Sequence, residues 1–153
     1  DTRLARDSSQ TKIAGLNRED QRHVAGYEAR LRFPKTFLRL GVDGYENLSN
    51  DHAQDFYDWQ DVRFRGLLTR IFSPRWTGTL SASHERKNYA SRSVPAINVA
   101  ARANLLTLAG SLILQLHQNV TATCSSTYRT QDSNDPRLDF MDWIHQVGIS
   151  ISF

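Results

Sequence analysis

The chain has 153 residues, 39% of them hydrophobic, and carries 19 Lys and Arg against 16 Asp and Glu, a formal net charge of +3. That length suits one domain, while a mean hydropathy of −0.52 and the lack of any run of about 18 apolar residues exclude a transmembrane helix. The basic residues are spread along the chain, which argues against nucleic acid, and the single Cys124 excludes an intramolecular disulfide and any multi-cysteine metal site.

Residues 1–20 give the weakest signal. Arg3, Arg6, Asp7, Lys12 and Arg18 would fall on both faces of a strand, with Leu4, Ile13 and Leu16 as the only larger apolar residues. From Ala25 the pattern becomes regular: Ala25, Tyr27, Ala29, Leu31 and Phe33 alternate with Gly26, Glu28, Arg30 and Arg32, the period of a strand with two unlike faces. After Pro34-Lys35-Thr36, Leu38, Leu40 and Val42 oppose Arg39, Gly41, Asp43 and Tyr45. From about Trp59 to Phe72, Val62, Phe64, Gly66, Leu68 and Phe72 oppose Asp61, Arg63, Arg65 and Thr69. A turn at Ser73-Pro74-Arg75 leads to Trp76, Gly78, Leu80 and Ala82 against Thr77, Thr79, Ser81, Ser83 and Glu85. A fifth run spans about Ala100 to Leu116, interrupted by Thr107, Ser111 and Gln115. After His117-Gln118-Asn119 a sixth, Val120 to Thr130, carries Thr121, Thr123, Ser125, Thr127 and Arg129 on its polar side. The seventh is Phe140 to Phe153.

Seven strands are therefore expected, with residues 1–16 left to supply an eighth. Tight turns alternate with polar loops at about 47–57, 88–98 and 131–139, and Pro34, Pro74, Pro95 and Pro136 all fall in turns or loops, where a missing N–H breaks no ladder. Long strands with short turns at one end and long loops at the other suit a transmembrane barrel better than a soluble sandwich. An internal repeat supports hairpin construction. At an offset of 84, Ala25-Gly26 falls on Ala109-Gly110, Ser49-Asn50-Asp51 on Ser133-Asn134-Asp135, Asp55-Phe56 on Asp139-Phe140 and Asp58-Trp59 on Asp142-Trp143.

The last strand, Gln146-Val147-Gly148-Ile149-Ser150-Ile151-Ser152-Phe153, has a polar residue, Gly two on, an apolar residue three further and a closing Phe. In this it resembles the C-terminal strand of Gram-negative outer-membrane β-barrels. The Ser-Asn…Asp-aromatic loops are similar to the descent from loop to strand in several such families. The resemblance implies an all-β, antiparallel up-and-down transmembrane β-barrel in the bacterial outer membrane. It would have about eight strands or be the C-terminal part of a larger barrel, with residues 21–153 as barrel strands and 1–20 as a weak first strand or an extracellular loop. It also implies that Gln146, Gly148, Ile151 and Phe153 are read by the barrel-assembly machinery, and that the protein meets outer-membrane lipid and lipopolysaccharide. Asp1 in place of Met leads us to expect a mature or excised segment.

On that reading the charged face is the lumen, because a charge facing lipid costs roughly 2–4 kcal/mol near the midplane. The candidate lumen residues are Glu28, Arg30, Arg32, Arg39, Asp43, Asp61, Arg63, Arg65, Glu85 and Arg129, with Asp142 beside them and Arg63 opposite Glu85. A small barrel would pack them as a plug, making a non-conducting structural or adhesive eight-stranded barrel; a larger one would form a pore or export channel favouring anionic solutes. Trp143 and Phe153 share a face ten residues apart, a height of about 25 Å at a tilt near 40°. Phe33, Phe72 and Trp76 mark the short-turn end, and Tyr128 with Trp143 the other. Arg86, Lys87, Arg92 and Arg102 gather at the long-loop end and suit lipopolysaccharide phosphates or a solvated rim.

A lipid-modifying enzyme is a third, weaker expectation. Pairing Tyr128 with Trp143 sets Ser126 beside His145, but no carboxylate on that face orients the imidazole. His23, His52, His84 and His117 have no metal-ligand spacing. We expect no catalytic residue, metal or cofactor.

Overall fold

The structure, a computed structural model, describes residues 2–13, 16–49, 58–94 and 99–152. Eight strands follow one another: β1 (Thr2–Ile13), β2 (Leu16–Phe33), β3 (Thr36–Ser49), β4 (Trp59–Ser73), β5 (Trp76–Val94), β6 (Val99–His117), β7 (Val120–Ser133) and β8 (Phe140–Ile151). They form one antiparallel sheet in the order β1-β2-β3-β4-β5-β6-β7-β8, every strand beside its sequence neighbours. The sheet is not closed, since β1 pairs with β2 and β8 with β7 but not with each other. The only other element among the described residues is a 3-10 helix, Pro136–Leu138, and no helix among those residues is long and apolar enough to cross a membrane.

Turns at Pro34-Lys35, Pro74-Arg75 and Gln118-Asn119 join strands at one end of the sheet. There the proline rings fix φ and forgo an N–H that no ladder needs. The register shifts beside two of these turns, between Ile71 and Ser73 and between Gln115 and His117. Such bulges add the local twist a tight hairpin requires.

Several strands run further than the alternation of their side chains. β2 begins at Leu16, upstream of the regular pattern, and residues 2–13 pair along it as β1. β5 continues to Val94, through much of the stretch expected as a loop at 88–98, with a register shift between Asn88 and Ser93. β3 and β7 likewise extend to Ser49 and Ser133. Alternation records which face is apolar, whereas the ladder needs only backbone N–H and C=O groups. Where both faces are polar the ladder continues without a hydrophobic signal. Pro95, Asn50, Asp51, Asp55, Phe56 and Phe153 lie outside the described residues.

Burial in this sheet is inverted. Among the described residues the buried hydrophobic ones are Val94, Ala101 and Ala103, all small, whereas Asp20, Glu28, Asp43, Asn47, Asp61 and Asp135 are 8% exposed or less. The large apolar side chains lie open: Val147 is 84% exposed, Met141 and Ile149 70%, Leu80 62%. A water-soluble single-layer sheet would leave that surface unsatisfied at roughly 25 cal/mol per Å².

Candidate functional site

The register places the two kinds of side chain on opposite faces. Partner residues across an antiparallel ladder point the same way, so one face can be followed across the sheet from β2 to β8. Successive rows on the apolar face are Tyr27–Val42–Phe64–His84–Leu106–Thr130–Met141, then Ala29–Leu40–Gly66–Ala82–Leu108–Tyr128–Trp143, then Leu31–Leu38–Leu68–Leu80–Gly110–Ser126–His145. Arg70 is the one charge within the next row, near the tight turns, where a long side chain can reach the polar boundary. Towards the other end the face turns polar at Arg86, Asn104 and Asp132, which continue the row of Val62.

The opposite face carries every residue expected to line the lumen. Glu28, Gly41, Arg65, Ser83, Thr107, Arg129 and Asp142 form one row; Arg30, Arg39, Leu67, Ser81, Ala109, Thr127 and Ile144 the next. Asp43, Arg63 and Glu85 fall in the row of Gly26, and Arg32 in the row of Phe37, Thr69 and Thr79.

Its charges are built into a network. Glu28, with a side chain 1% exposed, is approached by Arg30 Nε at 2.6 Å, Arg65 Nη2 at 3.4 Å and Arg39 Nε at 3.6 Å. Arg65 also meets Asp43, Nε to Oδ2, at 2.9 Å. Two glycines make this geometry available. A Cβ at Gly41 would lie 2.8 Å from Arg65 Nε, and a Cβ at Gly26 would collide with Asp43 Oδ1. Without those methyl groups, the Arg65 and Asp43 side chains lie flat across the strands beneath them and reach β2. Arg63 donates to Glu85 across the β4–β5 pair, Nε to Oε2 at 2.9 Å, as their opposition in sequence suggested. Arg129 donates to Asp142, Nη2 to Oδ2, at 2.6 Å.

Towards the long-loop end of this face, cations stack on aromatic rings. Lys87 Nζ lies 3.8 Å from the Trp59 ring centre and Arg22 Cζ 5.4 Å from it; Arg92 sits 5.1 Å from Tyr89 and Arg63 5.1 Å from Tyr45. The side chain of Asp61 is buried beside Lys87. Sequence reasoning missed Arg22, Trp59 and Tyr89 as part of this face. Arg22 continues the even-numbered positions of β2 through Val24 and Gly26 to Glu28, a parity visible in the sequence once the strand is known to start earlier. Arg86, Lys87, Arg92 and Arg102 do lie at this end but form no single cluster. Arg86 and Arg102 stand on the apolar side of the sheet's register, whereas Lys87 belongs to the charged face.

Across β5–β7 the same face is dominated by hydroxyls: Ser81, Ser83, Thr107, Thr127, Thr79, Ser111 and Ser125. Where the guanidinium half meets the hydroxyl half, a hollow of about 190 Å³ opens between Arg39, Arg65, Ser81, Ser83 and Thr107, floored by Gly66, Leu67 and Ala82.

No family model, curated protein or solved structure matches this chain.

The remaining sequence candidates have definite places. Ser126 stands opposite His145, and Tyr128 packs on Trp143 with ring centres 4.7 Å apart. Asp142, the nearest acid in sequence, is on the other face with Arg129. The hydroxyl and the imidazole are adjacent, and among the described residues no carboxylate is placed on that face beside His145. Gln146 and Gly148 pair with Ser125 and Thr123 on the polar face, and Ile151 with Val120 on the apolar one. Among the described residues no three His, Cys, Asp or Glu side chains are placed to hold a metal ion.

The repeat corresponds to a clasp, at a different offset. Ser49 N–H donates to Asp58 Oδ1 at 2.6 Å, and Ser133 N–H to Asp139 Oδ1 at 2.7 Å. Each Asp directly precedes the aromatic that opens the next strand, Trp59 or Phe140. Asp58 therefore takes the part of Asp139 rather than Asp142, because the second loop is three residues shorter. In the second loop Asn134 also bonds β6, accepting from Arg102 N–H at 2.8 Å and donating to Ala100 O at 2.7 Å. Asp135 binds Arg137 at 2.8 and 2.9 Å. That pairing holds the Asp135 carboxyl below the ordinary carboxylate range.

Proposed function

We propose that this chain forms wall strands of a bacterial outer-membrane β-barrel, with the charged face lining an aqueous pore and the apolar face meeting lipid. The observation that carries the reading is the inverted burial: acids 8% exposed or less on one face, large apolar side chains up to 84% exposed on the other. From Met141 to Ile151 the apolar face of β8 spans ten residues, about 25 Å of height at the usual tilt, the thickness of the apolar band of such barrels. The resemblance of the last strand adds the localisation, and with it insertion by the assembly machinery and contact with lipopolysaccharide.

The open edges favour a large barrel. Unpaired N–H and C=O groups along β1 and β8 cannot stand in hydrocarbon, so these edges are where further strands join. Strands of 18 and 19 residues, such as β2, β5 and β6, also exceed the roughly 9–11 needed to cross a bilayer. A second reading, a non-conducting eight-stranded barrel plugged by its own ion pairs, draws on the Arg63–Glu85, Arg65–Asp43 and Arg129–Asp142 contacts. Planar-bilayer recording of the refolded protein separates the two. Discrete conductance steps with anion preference are expected once the barrel is closed; a closed, membrane-inserted barrel that gives none would rule out the pore.

A further inference from the structure

We infer that the hollow between Arg39 and Arg65 on one side and Ser81, Ser83 and Thr107 on the other binds a hydroxy-carboxylate of the sugar-acid class. The inference rests on the pore reading for solute access and deepens it by naming a solute class.

Four features converge. The hollow, about 190 Å³, equals roughly six waters at about 30 Å³ each, room for a carboxylate and several hydroxyl-bearing carbons. Its two sides differ in chemistry: guanidinium groups match a planar carboxylate with paired N–H donors, and hydroxyls that both donate and accept match a polyol. The Arg39 Nε–H is buried and makes no hydrogen bond within the described protein; Glu28 Oε1, at 3.6 Å, is too far to accept it. The Arg39 side chain as a whole is 37% exposed and that of Arg65 32%, so both can be reached from the face.

Local charge selects among anions. Arg30, Arg39 and Arg65 supply three positive charges, and Glu28 and Asp43 two negative ones, leaving an excess of one. A monoanionic carboxylate neutralises that excess, whereas a phosphate dianion overshoots it beside two buried acids. A neutral sugar satisfies the hydroxyls but leaves the guanidinium side unmatched.

Calorimetric titration of the protein refolded in detergent micelles tests this with sodium glucuronate, glucose and inorganic phosphate as probes. Saturable glucuronate binding is expected, with phosphate weaker and glucose undetected. Arg39→Gln should weaken glucuronate by about tenfold, the loss of a charge-assisted contact. The pair Ser81→Val and Ser83→Val, which fills the hollow without touching an ion pair, should weaken it comparably and covers the case in which Arg39→Gln fails to fold. Absence of saturable glucuronate binding by the folded protein, equal binding of glucose, or binding unchanged in the folded variants would overturn the site. Conductance recorded in parallel keeps the two ideas apart. Glucuronate binding without channel steps leaves the site standing and removes the pore; channel steps without binding do the reverse.

Discussion

A Cβ at Gly41 would meet Arg65 Nε at 2.8 Å and Cγ at 3.2 Å, whereas one at Gly44, on the opposite face of the same strand, would meet only Ala25 O at 3.8 Å. The two glycines should therefore respond differently to a side chain. Gly41→Val lifts Arg65 away from Glu28 and Asp43, and a buried carboxylate that loses a partner costs about 1–3 kcal/mol. Gly44→Ala should change stability by less than about 0.5 kcal/mol, as ordinary surface substitutions do. Urea midpoints of the protein folded in lipid vesicles compare them, and equal shifts would refute the glycine argument. Arg129→Gln belongs with the mild changes: its ion pair with Asp142 is 43% and 38% exposed, a setting where such pairs contribute at most about 1 kcal/mol.

Asp135 carries a pH dependence of definite sign. Arg137 holds its folded carboxyl below the ordinary value, which is near 3.9 in an unfolded chain. The stabilisation is therefore complete above about pH 4 and is lost as pH falls through the lowered folded value. Hydrogen exchange at the Arg137 amide, which donates to Asp135 Oδ1 at 3.3 Å, should stay protected at pH 5 and open under strongly acidic conditions. In Asp135→Asn that acid-dependent step should vanish. A protein whose Arg137 amide opens identically with and without the carboxylate contradicts the assignment.

At the scale of the strand, the clasps from Ser49 to Asp58 and from Ser133 to Asp139 explain how long polar loops return to register. A carboxylate immediately before the first aromatic of a strand takes the last N–H of the preceding strand, closing the loop at a fixed point. Asp139→Ala should cost about 1 kcal/mol, the worth of a backbone bond to a charged acceptor, and should speed exchange of the Ser133 amide. Asp58→Ala should do the same for Ser49, and normal protection in both variants would show that the clasps are incidental.

The strands with two unlike faces were legible from alternation alone, as were the turns at Pro34 and Pro74 and the opposition of Arg63 and Glu85. Less legible were the strand extensions around Asn88 and Gln131, where both faces are polar and no period marks the ladder. β1 was obscured in the same way, with charges on both faces. The convergence of Arg30, Arg39 and Arg65 on Glu28 was hidden for a different reason. It depends on side chains lying across Gly41, and pairwise register says nothing of a side chain's direction along the sheet.

For the whole molecule, the barrel proposal requires the apolar face to meet hydrocarbon, and the three tryptophans can test it. Trp76 lies on the apolar face towards the short-turn end, in the row of Leu114, Ala122 and Ile149; Trp143 lies on the same face near the other end, 59% exposed. Trp59 lies on the charged face under Lys87. Three variants, each retaining one tryptophan and carrying Phe at the other two positions, separate their signals in vesicles. Lipids brominated on the acyl chain should quench Trp76 and Trp143, because the apolar face then forms the lipid boundary. Trp59 should be insensitive to bromolipid and quenched by aqueous iodide, with the neighbouring cations favouring approach of the anion. The opposite pattern, iodide reaching Trp143 while bromolipid quenches Trp59, would turn the wall inside out. The charged residues would then face lipid at roughly 2–4 kcal/mol each near the midplane, a sum no marginally stable domain can carry. Quenching of all three by iodide alone would place the sheet outside the membrane and remove the barrel reading altogether.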